Sequence, residues 1–188
     1  MTVAIWVIIG IVVVLGLGLA TSYNRFVRQR TLIKNAWANI DTELRRRYDL
    51  IPNLVETVKG YAAHEREVFE EVARTRSMAA SATGSPAQQA AAEGPFVAAL
   101  RQLFAVAENY PELKASQNFL ALQEELTGTE SRIAYARQFY NDQVMLLNTR
   151  IQAVPSNVVA KMFGFTPREF FDIEDPIRGP VQVDLTHP

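Results

Sequence analysis

Apolar residues follow three patterns along the chain. Residues 3–20 carry no charge and are apolar on every side, from Val3 and Trp6 to Leu19 and Ala20. Roughly 18 such residues at about 1.5 Å each cover about 27 Å, close to the hydrocarbon thickness of a bilayer. From Ile33 onward apolar positions recur instead at steps of three and four, the period of an amphipathic helix. After Gly164 the period is lost among Pro167, Pro176, Pro180 and Pro188.

The periodic region divides into several expected helices. Ile33, Trp37, Ile40, Leu44 and Tyr48 form one stripe that reads as running on from the apolar span. Asp49 and Pro52 mark its expected end, because proline suits a first turn better than an interior. A second helix is expected over residues 52–80, with Leu54, Val58, Tyr61, Val68 and Val72 inward. Its outer face, with Glu65, Arg66, Glu67, Glu70, Glu71 and Arg74, reads as solvated surface. Residues 81–95, rich in alanine, serine and glutamine and holding Pro86 and Pro95, read as a flexible loop to which alanine adds a turn or two of helix. A shorter helix over residues 96–109 turns Leu100, Leu103, Phe104 and Ala107 inward, until Tyr110 and Pro111 break it.

The longest stripe follows: Phe119, Leu122, Leu126, Thr129, Ile133, Ala136, Tyr140, Val144, Leu147, Ile151 and Val154. A helix of roughly 40 residues is about 60 Å long and must be covered by helices of its own chain or of a neighbour. Gly128 inside it costs about 1 kcal/mol against alanine, for which close approach of another helix is one compensation. Pro155 ends it, and residues 156–163 form a short last helix. Phe163, Phe165, Phe170 and Phe171 then need burial, either as a cap on the bundle or against another subunit or a membrane surface. The fold class is therefore all-α: a single N-terminal transmembrane helix, an antiparallel long-helix bundle of four-helix type, and an irregular C-terminal tail. The boundaries are residues 1–22 for the anchor, 23–163 for the bundle and 164–188 for the tail.

Charge gives the span an orientation. Arg25, Arg28, Arg30 and Lys34 follow it closely, so the positive-inside rule keeps the bundle in the cytoplasm and the N-terminus outside. Trp6 and Tyr23 lie near its two ends, where amphipathic rings favour the interface. Gly10 belongs to the anchor, and Gly16 with Ala20 forms a small-xxx-small pair able to bring two anchors together. A cleaved signal peptide competes with this reading: Gly18, Leu19 and Ala20 offer a small-residue site, but the positive leading region is lacking.

Composition removes much chemistry. The 188-residue chain has a formal net charge of -1, which gives no field for nucleic acid. With no cysteine there are no disulfides, thiol nucleophiles or thiolate metal sites. His64 and His187 share no ligand spacing. Tyr61 stands where a Glu-x-x-His motif would need its glutamate, and Val68 where His-Glu-x-x-His would need its second histidine. Neither a phosphate-cradling glycine loop nor a nucleophile elbow occurs. Glu124 and Glu125 are adjacent on a helix and point apart. Among the three arginines Arg45, Arg46 and Arg47, pairing with carboxylates such as Asp49 or Glu130 is favoured over contact with anionic lipid, since a continuous helix carries them roughly 35 Å from the span.

One run is distinctive as a whole: RRYDLIPNLVETVKGY, from Arg46 to Tyr61. With Tyr110, Pro111, Glu112, Leu113, Lys114 and Ala115, then Leu126, Thr127, Thr129 and Glu130, then Ala136, Arg137, Tyr140 and Asn141, the chain resembles the LemA family of bacterial membrane proteins. Val154 and Pro155, Gly164 and Phe165, and Phe170 and Phe171 complete the pattern, which extends over nearly the whole chain in order. Leu146, Leu147 and Asn148 depart from the family's usual tyrosine-asparagine, and residues 81–95 are richer in small residues than the family's pattern. The resemblance implies one transmembrane helix before a four-helix-type cytoplasmic bundle, and no established enzymatic activity. Some relatives resemble proteins of bacterial membrane organelles, which points toward membrane shaping.

The expectation is a non-enzymatic, self-associating scaffold in the bacterial cell membrane, without cofactor, whose partners are the lipid bilayer and further copies of itself. Its anchor residues are Trp6, Gly10, Gly16, Ala20 and Tyr23, and its interface candidates Leu122, Leu126, Ile133, Tyr140, Phe170 and Phe171. The competing expectation is a monomeric or dimeric tethered adaptor for a cytoplasmic protein. It would dock through the alternating Pro180, Val181, Gln182, Val183, Asp184 and Leu185.

Overall fold

The structure, a computed structural model, describes residues 2–173. These form six helices: α1 (Thr2–Lys59), α2 (Arg66–Ser81), α3 (Pro86–Ala107), α4 (Pro111–Lys114), α5 (Gln117–Gln152) and α6 (Ser156–Phe163). The fold is all-α. The most apolar window of α1 has no residue buried inside the protein and is long enough to cross a membrane. The alternating segment at residues 180–185 lies outside the described residues.

The helices pack as two compact units, one of residues 2–39 and 136–170, the other of residues 40–135 with 171–173. In the second unit the later part of α1 packs with α2, α3 and the first half of α5. Ile40, Leu44, Ile51, Leu54 and Val58 from α1, Val68 and Val72 from α2, Phe96 and Leu103 from α3, and Leu126 and Ile133 from α5 are buried. Arg132 Nε meets Glu43 Oε2 at 2.8 Å while Arg47 Nη1 meets Glu130 Oε1 at 2.6 Å, so α5 runs antiparallel to α1 there.

Two helix boundaries differ from the expectation. The first helix does not stop at Asp49 but passes through Pro52 to Lys59, and the expected second helix begins only at Arg66. Proline removes the N–H that would bond the carbonyl four residues back. Here that carbonyl is Tyr48 O, and Arg76 Nε of α2 donates to it at 2.7 Å. The helix continues because a side chain replaces the lost donor. Its end comes instead at Gly60, where the amides of Tyr61 and Ala62 both fold back onto Val58 O, at 3.0 and 2.9 Å.

The second correction concerns residues 81–95. Most of this expected loop is the start of α3, with Pro95 inside the helix. Ser85 and Gln88 form a reciprocal capping box and Pro86 occupies the first turn, a strong start signal ahead of alanines that favour helix.

In the first unit α1 and α5 again pair antiparallel, through Phe26, Ile33 and Ala36 on one side and Tyr140, Val144 and Leu147 on the other, all buried. Gln29 Nε2 donates to Gln143 Oε1 at 2.9 Å and to its carbonyl at 3.0 Å. The Trp37 and Tyr140 rings lie 5.5 Å apart. After α6, Gly164 takes a left-handed φ of 68°, a conformation glycine adopts without strain. The chain then returns without helix along α5: Asn148 Nδ2 donates to Arg168 O and Asn148 Oδ1 accepts from the Arg168 amide, each at 2.9 Å. Gly128 meets no close helix backbone, contrary to the compensation expected; a Cβ there would find only Arg132 Nη1, at 3.5 Å.

Candidate functional site

The described residues offer two chemical features: the bare apolar half of α1 and a cluster of polar groups sealed inside the second unit. In the span, Trp6 is exposed, Gly10 and Gly16 have nothing within 4 Å of an added Cβ, and Ala20 is exposed. Tyr23 lies against Phe163 and Phe165, with ring centroids at 4.7 and 5.9 Å. A helix face so apolar and so uncovered is stable only in a lipid-like surrounding. The chain is membrane-anchored through this helix.

The cluster is built on Arg47, which occupies a core position of α1 between Leu44 and Ile51 and is fully buried. Its Nη2 donates to Glu93 Oε2, also fully buried, from α3, and its Nη1 donates to the half-exposed Glu130 of α5. The Tyr48 hydroxyl donates to the other Glu93 oxygen. Gln89 Nε2 bridges Tyr48 Oη at 3.3 Å, Glu93 Oε1 at 3.3 Å and Ala79 O at 3.1 Å. The Phe96 ring lies 5.2 Å from the guanidinium carbon and closes the cluster on one side. Arg47 Nε finds no hydrogen-bond partner among the described residues.

Burial pushes the Glu93 carboxyl above its ordinary value; the Arg47 charge, the Tyr48 hydroxyl and the Gln89 amide pull it back, and the Glu130 charge adds to the rise. Burial and the Glu93 charge together push the Tyr48 phenol up against the pull of Arg47, so it stays protonated. Both Glu93 oxygens and the Tyr48 hydroxyl accept from donors inside the unit. Among the described residues no group of three or more His, Cys, Asp or Glu is placed to hold a metal ion. The two ion pairs of Arg47 join α1 to α3 and to α5 at this level.

Of the carboxylates expected to meet the arginine run, Glu130 pairs with Arg47; Arg45 pairs instead with Asp41 at 2.9 Å, and the buried partner of Arg47, Glu93, lies outside the expectation. A signal for it exists: Glu93 is the only acid between Glu71 and Glu108. The interface candidates divide. Leu126, Ile133 and Tyr140 are buried within the chain's own fold, because α1 already covers the stripe, and Phe171 is buried as well. Leu122 is partly covered and Phe170 is half exposed.

The chain is similar to magnetosome protein MamQ 2 of Paramagnetospirillum magneticum, 28% identical over 174 residues covering 79% of this chain and 64% of that protein. It is also similar to magnetosome protein MamQ of Magnetospirillum gryphiswaldense, 26% identical over 174 residues with the same coverage. Protein LemA of Metamycoplasma hominis is 26% identical over 141 residues, 73% of this chain and 63% of that one. The chain thus spans a little under two thirds of the length of the curated relatives it matches. The LemA family model matches residues 36–185, well over half of the sequence. That region begins inside α1 and takes in Arg47, Tyr48, Glu93 and Glu130; the anchored helical protein described above belongs to the LemA family.

Proposed function

We propose that this protein is a structural scaffold, held in the bacterial cell membrane by α1, that associates with further copies of itself and organises the membrane around them. The observation that carries the reading is the outer face of α5 in the first unit. Its inner stripe is covered by α1, yet Phe139, Met145 and Leu146 remain exposed. Large apolar residues grouped on one helix of a soluble region mark an association surface. The relatives named for the magnetosome give the reading its direction toward membrane organisation. Residues 1–22 serve as the anchor, with Gly16 and Ala20 as a close-approach pair, and residues 23–163 as the body. Arg25, Arg28, Arg30 and Lys34 keep that body on the cytoplasmic side.

Counting copies tests this. Full-length protein carrying one fluorophore is reconstituted in supported bilayers and its photobleaching steps are counted. The native chain gives many-step spots, and Phe139→Lys combined with Leu146→Lys reduces them to one or two. Single-step spots from the native chain would overturn the proposal.

A further inference from the structure

The turn between α5 and α6 lies beside the last turns of the membrane span, in the same unit. Arg150 Nη1 donates to the Arg25 carbonyl at 3.3 Å, which fixes the level of the end of α5 against α1. The chain then continues past that level toward the span. Pro155 and Val159 share a groove of about 560 Å³ with Leu15, Leu19, Arg25 and Arg150. Residues 15 and 19 belong to the apolar stretch that crosses the membrane, so the tip of this turn stands at membrane depth. Arg25 lies five residues beyond Ala20, about 7.5 Å along the helix, the depth of lipid headgroups.

The side of this tip that faces away from α1 is apolar. Val154, Val158 and Met162 follow one another at steps of four and are 81%, 55% and 61% exposed. Val159 and Ala160 form the opposite, buried face of α6. A short helix with one face against the anchor and another bare face of valine and methionine has no reason to point at water. Basic groups sit where phosphates would lie: Arg25 and Arg150 line the groove, and Lys161 is exposed on α6.

We infer that the α5–α6 turn and the outer face of α6 are a second membrane contact, inserted as a wedge into the leaflet at the C-terminal end of the span. Val154, Val158 and Met162 enter the acyl region, and Arg25, Arg150 and Lys161 meet anionic headgroups. The occupant is lipid because this face continues the surface of the anchor itself and its charged rim has the sign that anionic lipid requires. The inference rests on the anchor alone and not on self-association. A body inserted into one leaflet only takes up area there and makes the protein sensitive to curvature.

The chain lacks cysteine, so single labels are placed without background. Full-length Val158→Cys and Met162→Cys carry a nitroxide in vesicles of phosphatidylethanolamine and phosphatidylglycerol, with Glu67→Cys on α2 as the water-exposed reference. Vesicle binding itself is uninformative, since α1 anchors every variant; immersion is read from collisions with oxygen and with a water-soluble nickel chelate. The expected result is an oxygen-to-nickel ratio several-fold above the reference at both positions. Free access to nickel would place α6 in water, and shielding from both reagents would place it against protein; either result overturns the inference. Both positions are exposed on the surface, so the labels leave the core intact.

Discussion

At the scale of residues, the sealed cluster of Arg47, Glu93 and Tyr48 is the most consequential feature of the body. Two ions in a helical core are expensive to desolvate, and their attraction offsets that cost only while both are present. Replacing Arg47 with methionine leaves Glu93 buried and unpaired; Glu130, half exposed, simply hydrates. The expected loss is about 3–5 kcal/mol in urea unfolding at neutral pH. Arg47→Met with Glu93→Leu recovers most of it, because a well-packed apolar pair has no charge to strand. The carboxyl also dictates a pH dependence. Its folded value lies above the ordinary 4.5, so the folded state holds the proton more tightly than the unfolded one. Its contribution to stability is full below about pH 4.5 and falls away as pH rises through the raised value. Without Arg47 the rise is larger, so Arg47→Met recovers stability on mild acidification more than the native chain does. A loss independent of pH would mean that Glu93 carries no charge to strand.

At the scale of elements, Pro52 and Arg76 act as one device. The proline opens a gap in the hydrogen-bond ladder of α1, and α2 fills it with a side chain. Arg76→Met should therefore cost about 1–3 kcal/mol, the penalty for a buried carbonyl left unpaired. In a Pro52→Ala background, where the helix supplies its own donor, the same change should cost little. Equal losses in the two backgrounds would show that Arg76 acts otherwise.

The same pair explains what the sequence hid at this scale. The stripes of α1 and α5 were legible because step-three and step-four spacing survives any tertiary context. The end of α1 was not, since a proline reads as a boundary unless a distant residue compensates for it. Residues 81–95 read as a loop for a different reason: two prolines and a run of small residues outweigh the helix preference of alanine, although Ser85, Pro86 and Gln88 spell a helix start. Of the candidate site, the sequence offers Glu130 as a partner for the run Arg45 to Arg47 without singling out Arg47. Glu93 does not stand out as a partner because its segment reads as a loop, where a lone acid needs no partner.

For the whole molecule, α1 is a single helix from a bare apolar span to a position within the body's core. One element thus answers two demands, to be lipid-soluble over its first turns and to present Phe26, Ile33, Ile40, Leu44 and Leu54 to protein thereafter. Family membership was readable from the run at Arg46 to Tyr61 because such a run combines a core face with a proline and its neighbours in fixed order. The biological task was not readable in the same way. No reacting group sits in these motifs, and a self-associating surface is only an apolar residue that stays uncovered, which is known once the fold is.

Self-association is the central claim at this scale. Negative-stain microscopy of the full-length protein in mild detergent, with mass photometry on the same sample, tests it most directly. Large, uniform rings, shells or arrays of many copies are the predicted result. Single copies or dimers throughout would contradict the scaffold and leave a tethered adaptor in its place.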